Sequence, residues 1–344
     1  MLISIPKMAN LSNNKRSVVT NRTRSVKNKL RIAYTLGDLA GIGEEIFFKF
    51  QKQYQAREDL EISLLDNNFA YEDLTKKLKP GQCSAAAGEH SYKVLESANK
   101  KLNDGDYDYL VTGPVAKESL WRGGIQCSGQ TELLAQLNGL SREDIEMFFV
   151  LDQIKVVLAT RHVPITHVPE LLEQRLTKVI SNSLLALKNI WSINKPKLAV
   201  AALNPHAGEN GIIGLEENDF MNQMIQEARD LYKLEIEGPS PADSLFARMA
   251  QNYLRETEEN PISSFPNPNP DLYIAAYHDQ VLPLIKGLGG LRAINLTAGL
   301  PFIRLSVDHG TGFDIVGKGI ANPQGLFACT DYCFELAQLA AQKG

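Results

Sequence analysis

Short apolar runs that end abruptly in polar residues recur along this chain. Four of the runs have a histidine just after their end: KVVLAT before Arg161-His162, KLAVAAL before Asn204-Pro205-His206, LYIAAY before His278-Asp279-Gln280, and FIRLSV before Asp308-His309-Gly310. Runs of about four to eight aliphatic and β-branched residues predict buried strands. Since open α/β sheets bind ligands just beyond the carboxyl ends of their strands, the pattern predicts that these imidazoles gather at one edge of a sheet.

Predicted strands and helices alternate along the chain. A strand is predicted at 32–36, before a glycine-rich turn at 37–43 and a helix whose first acids, Glu44 and Glu45, complement the helix dipole. Further predicted elements are strands at 60–65, 109–112, 154–159, 197–203 and 271–277, and helices near 92–104, 131–138, 169–189, 216–232 and 244–253. A period of roughly 30 to 45 residues suits βαβ crossovers. The predicted fold is therefore α/β with a mixed, mostly parallel sheet.

Length and composition indicate a two-domain globular protein. The chain has 344 residues, and single cores stop growing at about 250 to 300 residues. We predict a first α/β domain from residues 31–140 plus 305–344 and a second from 141–304. Turn-forming residues at 260–270 predict a surface loop. No apolar run reaches the roughly 18 residues that a membrane span needs, so no membrane partner is expected.

Charge and cysteine content narrow the class further. Residues 1–30 hold seven Lys or Arg and no acid, which predicts a disordered basic leader. The remainder has 29 basic against 40 acidic residues, and an acidic body without a basic stripe argues against a nucleic-acid partner. The four irregularly spaced cysteines favour a reducing cytoplasm over a disulfide framework. Cys329 and Cys333 are predicted to pack as small apolar residues on the last helix.

Three of the strand-end histidines, His162, His206 and His278, could hold a metal ion. A neutral imidazole is a nitrogen donor for a divalent cation, and three of them leave open positions where a substrate hydroxyl can bind. They lie more than 40 residues apart, so no short motif applies. Ordinary strand-end or capping histidines are the commoner explanation of this pattern alone. His90 and His167 lack this setting and are predicted to be exposed.

Residues 308–323, DHGTGFDIVGKGIANP, form the most specific stretch of the chain. Its glycines allow close backbone approach to a ligand, and an acid such as Asp314 can accept hydrogen bonds from a ribose diol and repel a 2′-phosphate. The alternative is a glycine-rich connection between the last strand and the last helix. The stretch resembles the adenosine-binding loop of isopropylmalate and isocitrate dehydrogenases. In that superfamily an acid at this position accompanies NAD rather than NADP.

Five other motifs occur in the order found in the 4-hydroxythreonine-4-phosphate dehydrogenase family, which the chain resembles from Arg31 onward. They are GDLAGIGEEI at 37–46, VTGPV at 111–115, LNPHAGE at 203–209, PADSLF at 241–246 and YHDQ at 277–280. The resemblance implies the isopropylmalate/isocitrate dehydrogenase-like fold, with two α/β domains and an active-site cleft between them. It also implies a cytoplasmic homodimer whose two chains share each active site. The metal ligands and the dimer interface are expected to lie in the second domain.

The resemblance assigns roles to individual residues. Metal ligands are His162, His206 and His278, with His278 offered to the partner's site and zinc expected before magnesium or cobalt. Substrate-binding residues are Gln130, Thr131, Lys286, Asn295 and Arg304. Cofactor-binding residues are His309, Gly310, Thr311, Asp314 and Asn322. Asp243 and Lys286 are the catalytic candidates.

Each substrate and catalytic assignment has a plainer alternative. An Arg fork and a Lys point charge suit phosphate and carboxylate groups, but exposed surface charge is the commoner role of either residue taken alone. Asn295 alone is typical of a turn or strand end. Asp243 and Thr131 could each simply cap a helix.

One motif departs from the family. The family has Gly-His-Thr-Glu where this chain has Gly129-Gln130-Thr131-Glu132, and glutamine cannot carry a proton or a positive charge.

The reaction that the resemblance implies is NAD-dependent oxidation of 4-phosphooxy-L-threonine at C3, followed by decarboxylation to 3-amino-2-oxopropyl phosphate, in pyridoxal 5′-phosphate (vitamin B6) biosynthesis. Gln130 leaves phosphorylated threonate or erythronate open as substrates. A phosphate acyltransferase of the same fold is a more distant alternative.

Overall fold

A computed structural model of the chain describes residues 29–55, 57–256 and 269–342. Almost all of the predicted basic leader and most of the predicted 260–270 loop lie outside the described residues. Two compact units divide the chain. The glycine-loop unit comprises the described residues up to 145 and from 291 onward, and the histidine unit comprises those of 146–290. The domain boundaries expected from the sequence, at 140 and 304, stay a prediction.

Strands and helices alternate through most of the chain. The strands are β1 Leu30–Thr35, β2 Leu60–Leu64, β3 Tyr109–Thr112, β4 Glu146–Leu151, β5 Ile154–Leu158, β6 Leu198–Ala201, β7 Ile236–Ser240, β8 Leu272–Ala275, β9 Ile294–Ala298 and β10 Ile303–Val307. The α-helices are α1 Gly43–Gln53, α2 Tyr71–Thr75, α3 Ala85–Asp104, α4 Lys117–Arg122, α5 Gln130–Leu137, α6 Val168–Trp191, α7 Asn222–Tyr232, α8 Ala242–Glu256, α9 Leu282–Gly289 and α10 Gln324–Ala341.

The sheet of the glycine-loop unit has the strand order β2-β1-β3-β10-β9. All its neighbouring pairs are parallel except β10 with β9. Every residue of β3 and β10 is buried, as expected for central strands covered on both faces. Helix α10 packs against this sheet with Cys329 and Cys333 fully buried. Both thiols are free, so their predicted role as packed apolar residues is confirmed.

The sheet of the histidine unit has the order β4-β5-β8-β6-β7. Strands β5, β8 and β6 are adjacent and parallel, so their carboxyl ends meet at one edge. His162, His278 and His206 follow these strands in that spatial order. The common edge expected from the apolar runs is therefore confirmed for these three histidines, whereas His309 follows β10 in the glycine-loop unit.

Most predicted elements are present, and the fold is α/β with mostly parallel strands as predicted. Sequence patterns missed β4, β7 and β9. Strand β9 was not predicted because Asn295 and Thr297 interrupt its apolar run. Helix α3 begins at Ala85 rather than near residue 92, after Ser84, whose Oγ accepts the Ala87 N–H at 3.2 Å. Along the described residues, no helix combines the length and apolar character that crossing a bilayer requires.

Candidate functional site

A row of polar side chains crosses four strands of the glycine-loop unit. We call Thr35, Thr112, Ser306 and Asn295 the polar row, because they are register partners on β1, β3, β10 and β9. All four are buried. Since side chains alternate between the two faces of a strand, the register places the row on one face of the sheet near the carboxyl ends of β1, β3 and β10.

Arg304 lies beside this row and is 1% exposed. Its Nε and Nη2 donate to Thr112 Oγ1 at 3.0 and 2.7 Å. Its Nη1 donates to Thr131 Oγ1 at 3.1 Å and Thr297 Oγ1 at 3.2 Å. Burial lowers the pKa of the guanidinium to about 10. Within the described part of the chain, Arg304 forms no salt bridge with a carboxylate, although the attraction of Glu132 opposes the lowering of its pKa.

The hydroxyl groups around Arg304 retain hydrogen-bonding capacity. A threonine hydroxyl has one O–H to donate and two lone pairs, so Thr112 can accept two bonds from Arg304 and still donate its own proton. Asn295 Oδ1 and Thr35 Oγ1 are buried without a hydrogen-bond partner among the described residues. A buried cation surrounded by hydroxyl donors is suited to an anion. The sequence does not predict the roles of Thr112 and Thr297, since only strand register brings them to Arg304.

Gln130 and Thr131 begin helix α5. The helix N-cap is Gly129, so the alternative that Thr131 caps the helix is wrong, and its hydroxyl accepts from Arg304 instead. Gln130 is half-buried, and its Oε1 lacks a hydrogen-bond partner among the described residues. The amide oxygen of Gln130 can therefore accept a hydrogen bond, and Gln130 directly precedes Thr131, which contacts Arg304.

The glycine-rich stretch 308–323 is held against the 37–43 turn in the same unit. Ile42 N–H donates to Thr311 O at 2.9 Å, and a Cβ added at Gly41 would lie 2.8 Å from that oxygen. Only glycine at position 41 permits this approach. The first half of the loop is therefore fixed by main-chain contacts.

The predicted cofactor residues lie along this loop. Asp314, Gly310 and Asn322 are exposed, and Thr311 is half-buried. His309 Nδ1 lies 3.0 Å from Gly310 O, and its Nε2 is buried without a partner among the described residues. An exposed carboxylate, an unused ring nitrogen and a close-packed glycine backbone fit a nucleotide ligand.

Two of the three predicted metal ligands lie together in the histidine unit. The ring centroids of His162 and His278 are 5.8 Å apart. Both line a cavity of about 310 Å³ with Thr160, Tyr277 and Asp279 among its walls. His278 Nδ1 lies 2.8 Å from Asp279 Oδ1, a carboxylate contact that can orient an imidazole for metal binding.

His206 has a different setting. It belongs to a turn, Pro205–Gly211, in which five consecutive residues from His206 to Asn210 have positive φ. Its side chain is 67% exposed, with Nδ1 3.7 Å from Glu209 Oε1. Left-handed geometry costs roughly 1–2 kcal/mol per non-glycine residue, so this turn needs support from its surroundings.

Glu217 provides that support. This residue is 2% exposed, and its carboxylate accepts the Asn204 N–H at 2.8 Å and the Asn204 side-chain amide at 2.9 Å. Gly208 packs so tightly against Glu217 that an added Cβ would lie 2.8 Å from Oε2. Glu217 therefore braces the turn that carries His206, a role that sequence patterns missed.

Three imidazole nitrogens fit a divalent cation, but a single chain brings only two of these three rings together. Across the described residues, no group of three or more His, Cys, Asp or Glu side chains is arranged to hold a metal ion. His278 accompanies His162 of its own chain, and the implied transfer of His278 to the partner's site stays a prediction.

The two catalytic candidates lie on helices of the histidine unit. Asp243 is exposed in the first turn of α8, where Ser244 Oγ donates to its Oδ1 at 3.3 Å. The helix begins at Ala242, so Asp243 does not precede the helix as a capping residue would. Lys286 is exposed on α9. Their catalytic roles stay predictions.

A buried pair beneath the 37–43 turn was not anticipated. The prediction that His90 is exposed is wrong, because it is 4% exposed and its Nε2 lies 2.9 Å from Asp66 Oδ1. Asp66 Oδ2 accepts the Leu36 N–H at 2.9 Å, which fixes the end of β1. Burial raises the pKa of the neighbouring Asp38 carboxyl above its ordinary value. His167 is exposed, as predicted.

Comparisons with known proteins agree with the family resemblance. The family model described as "Pyridoxal phosphate biosynthetic protein PdxA" matches residues 15–333. The 4-hydroxythreonine-4-phosphate dehydrogenase of Vibrio cholerae is 35% identical over 270 residues, covering 78% of this chain and 76% of that protein. The enzyme of the same name from Synechocystis is 33% identical over 347 residues, covering 90% and 96%. A crystal structure of 4-hydroxythreonine-4-phosphate dehydrogenase from Klebsiella pneumoniae matches with a TM-score of 0.73 at 28% identity, covering 92% of this chain and 100% of that one.

Proposed function

Because this chain belongs to the PdxA family of pyridoxal phosphate biosynthetic proteins, we propose that it oxidises the C3 hydroxyl of 4-phosphooxy-L-threonine with NAD. Hydride passes from C3 to NAD, and the hydroxyl proton is released. The resulting β-keto acid loses carbon dioxide to yield 3-amino-2-oxopropyl phosphate. The names of the relatives support a dehydrogenase, and the substrate and cofactor are our inference.

The buried Arg304 is the observation that best supports a phosphorylated substrate. This guanidinium donates to three threonines, and Glu132 attracts it electrostatically without a salt bridge among the described residues. A phosphate group near Thr131 and Asn295 would supply negative charge and accept the remaining O–H donors. Lys286 would add a point charge for the substrate's phosphate or carboxylate.

The glycine-rich loop supports NAD as the hydride acceptor. Asp314 is exposed and would accept hydrogen bonds from the adenosine ribose diol. The same carboxylate would repel the 2′-phosphate of NADP. His309, Gly310, Thr311 and Asn322 would line the rest of the adenosine site.

His162, His206 and His278 would hold the divalent cation, with zinc expected first and magnesium or cobalt as alternatives. A cation held by these residues would supply Lewis-acid chemistry, which lowers the pKa of a hydroxyl group and stabilises developing negative charge. Since one chain groups only two of the imidazoles, a homodimer in which the partner contributes one ligand would complete the set. Asp243 would relay the hydroxyl proton.

Gln130 favours a second candidate substrate class. An amide there cannot provide the charge that the family histidine can carry, and its Oε1 has no partner among the described residues. Phosphorylated threonate or erythronate offers hydroxyl donors for this oxygen and has no amino group. The same oxidation and decarboxylation would then act on a sugar acid.

Turnover with three substrates tests the proposal. Purified protein with zinc and NAD should form NADH and release carbon dioxide with 4-phosphooxy-L-threonine, with kcat/KM at least about tenfold above phosphothreonate and phosphoerythronate, a margin of about 1.4 kcal/mol. Preference for either sugar acid selects the second candidate. The absence of NADH formation with all three substrates would rule out the dehydrogenase.

A further inference from the structure

Two residues of helix α1 clamp the second half of the glycine-rich loop. Lys49 Nζ donates to Gly319 O at 2.7 Å and to Ala321 O at 2.8 Å. It also donates to Glu45 Oε1, one helical turn earlier, at 2.7 Å. Glu45 Oε1 in turn accepts the Ala321 N–H at 2.8 Å.

This arrangement uses the full donor capacity of the lysine. An ammonium group has three N–H donors, and here two go to main-chain carbonyls and one to a carboxylate. An exposed lysine ordinarily stays hydrated and mobile, because ordering its long side chain costs up to about 2 kcal/mol. Lys49 instead bonds a segment 270 and 272 positions away in sequence, which is unusual for a charge that only solubilises a helix.

Apart from the clamp, Lys318 N–H in this segment donates to Ile315 O at 3.1 Å. Residues 317–320 are exposed, and Gly319 has a left-handed φ of 68°. The first half of the loop is fixed by the contact of Thr311 with Ile42, which involves no side chain. The Glu45 and Lys49 side chains therefore fix the end of the loop that leads into Asn322.

We propose that Glu45 and Lys49 are positioning residues that pre-order the end of the glycine-rich loop for the dinucleotide. The inference rests on the proposed function, in which this loop binds NAD. A loop that is ordered before binding does not lose that freedom when the ligand arrives, so affinity rises without any direct contact. Loss of the clamp should weaken NAD binding and leave the hydride-transfer step unchanged.

Lys49→Met tests this role because it removes the three donors and keeps a long unbranched side chain. Lys52→Met is the matched control, since Lys52 is an exposed lysine three residues further along the same helix. Titration of NAD in a calorimeter should give a Kd about tenfold higher for Lys49→Met and within about twofold of the wild type for Lys52→Met. The KM for NAD should rise equally, with kcat and the KM for the phosphorylated substrate unchanged.

Hydrogen exchange supplies a readout that does not depend on turnover. The Ala321 amide should exchange faster in Lys49→Met and Glu45→Gln than in the wild type, and Lys49→Arg should restore part of the protection. NAD affinity in Lys49→Met equal to the wild type would overturn the inference while the proposed function stands. Failure of the wild-type protein to bind NAD at all would overturn both.

Discussion

The surroundings of Arg304 include Thr112 at the carboxyl end of β3, and the histidines follow the carboxyl ends of β5, β6 and β8. The two regions differ in how many of their proposed ligand-binding groups one chain brings together. Arg304 is 1% exposed and makes four hydrogen bonds to three threonines. His206 is 67% exposed and has a single described ionic neighbour at 3.7 Å. The proposed anion site is thus assembled within one chain, whereas the proposed cation site has His162 and His278 together and His206 on an exposed turn. The proposed homodimer would complete the second site.

The difference has a physical origin in the backbone that carries each group. The partners of Arg304 lie on paired strands, where hydrogen-bonded register fixes which side chains meet. His206 lies on a turn of left-handed residues, whose geometry depends on a buried carboxylate. Rigid strands can pre-order a site, and a strained turn holds one only while its brace is intact.

Removal of His206 should have the largest effect. His206→Ala should lose bound divalent metal and reduce kcat by about a thousandfold or more, because the substrate hydroxyl would no longer be activated. Metal content by mass spectrometry and steady-state NADH formation measure both changes. His167→Ala, at another exposed histidine, should match the wild type. A His206→Ala protein with full metal and full turnover would remove this residue from the site.

Two of the three buried arginines, Arg175 and Arg304, should lose different amounts of stability on Arg→Met substitution. Arg175 is paired with the buried Glu146 at 3.4 Å, so Arg175→Met should lower the free energy of unfolding by about 3–5 kcal/mol by removing the cation that faces this buried carboxylate. Arg304→Met removes a charge that has no such pair among the described residues, so it should cost about 1–2 kcal/mol at most.

Substrate binding should show the reverse order. Arg304→Met should raise the KM for the phosphorylated substrate about a hundredfold, the loss expected for charge-assisted hydrogen bonds. Urea unfolding and initial-rate kinetics on both variants measure these effects. A strongly destabilised Arg304→Met protein would instead assign Arg304 a structural role.

Substitution of the brace should have the smallest effect. Glu217→Gln should weaken metal binding about tenfold by loosening the turn that carries His206, with faster hydrogen exchange at the Asn204 amide. Glu216→Gln is the control, because Glu216 contacts the Asn204 side chain but not its main-chain N–H. Equal metal affinity in Glu217→Gln and the wild type would show that the turn holds without the carboxylate.

Sequence patterns predicted the features that depend on neighbours in the chain. The apolar runs identified β1, β3, β5, β6, β8 and β10 because a buried strand needs consecutive apolar residues wherever its partners lie. The ordered motifs identified the family, and the strand-end histidines identified the edge that the parallel strands of the histidine unit share. These patterns are local in the sequence, so they can be recognised without knowledge of the fold.

Tertiary structure alone decided which distant side chains meet. Thr112, Thr297 and Arg304 converge through strand register, and His90 is buried because it meets Asp66. Thr131 bonds Arg304 rather than capping its helix, and Lys49 clamps a loop far away in sequence. Such contacts depend on packing between segments that no local pattern relates, since hydrogen-bond partners are chosen by proximity in the folded chain and not along the sequence.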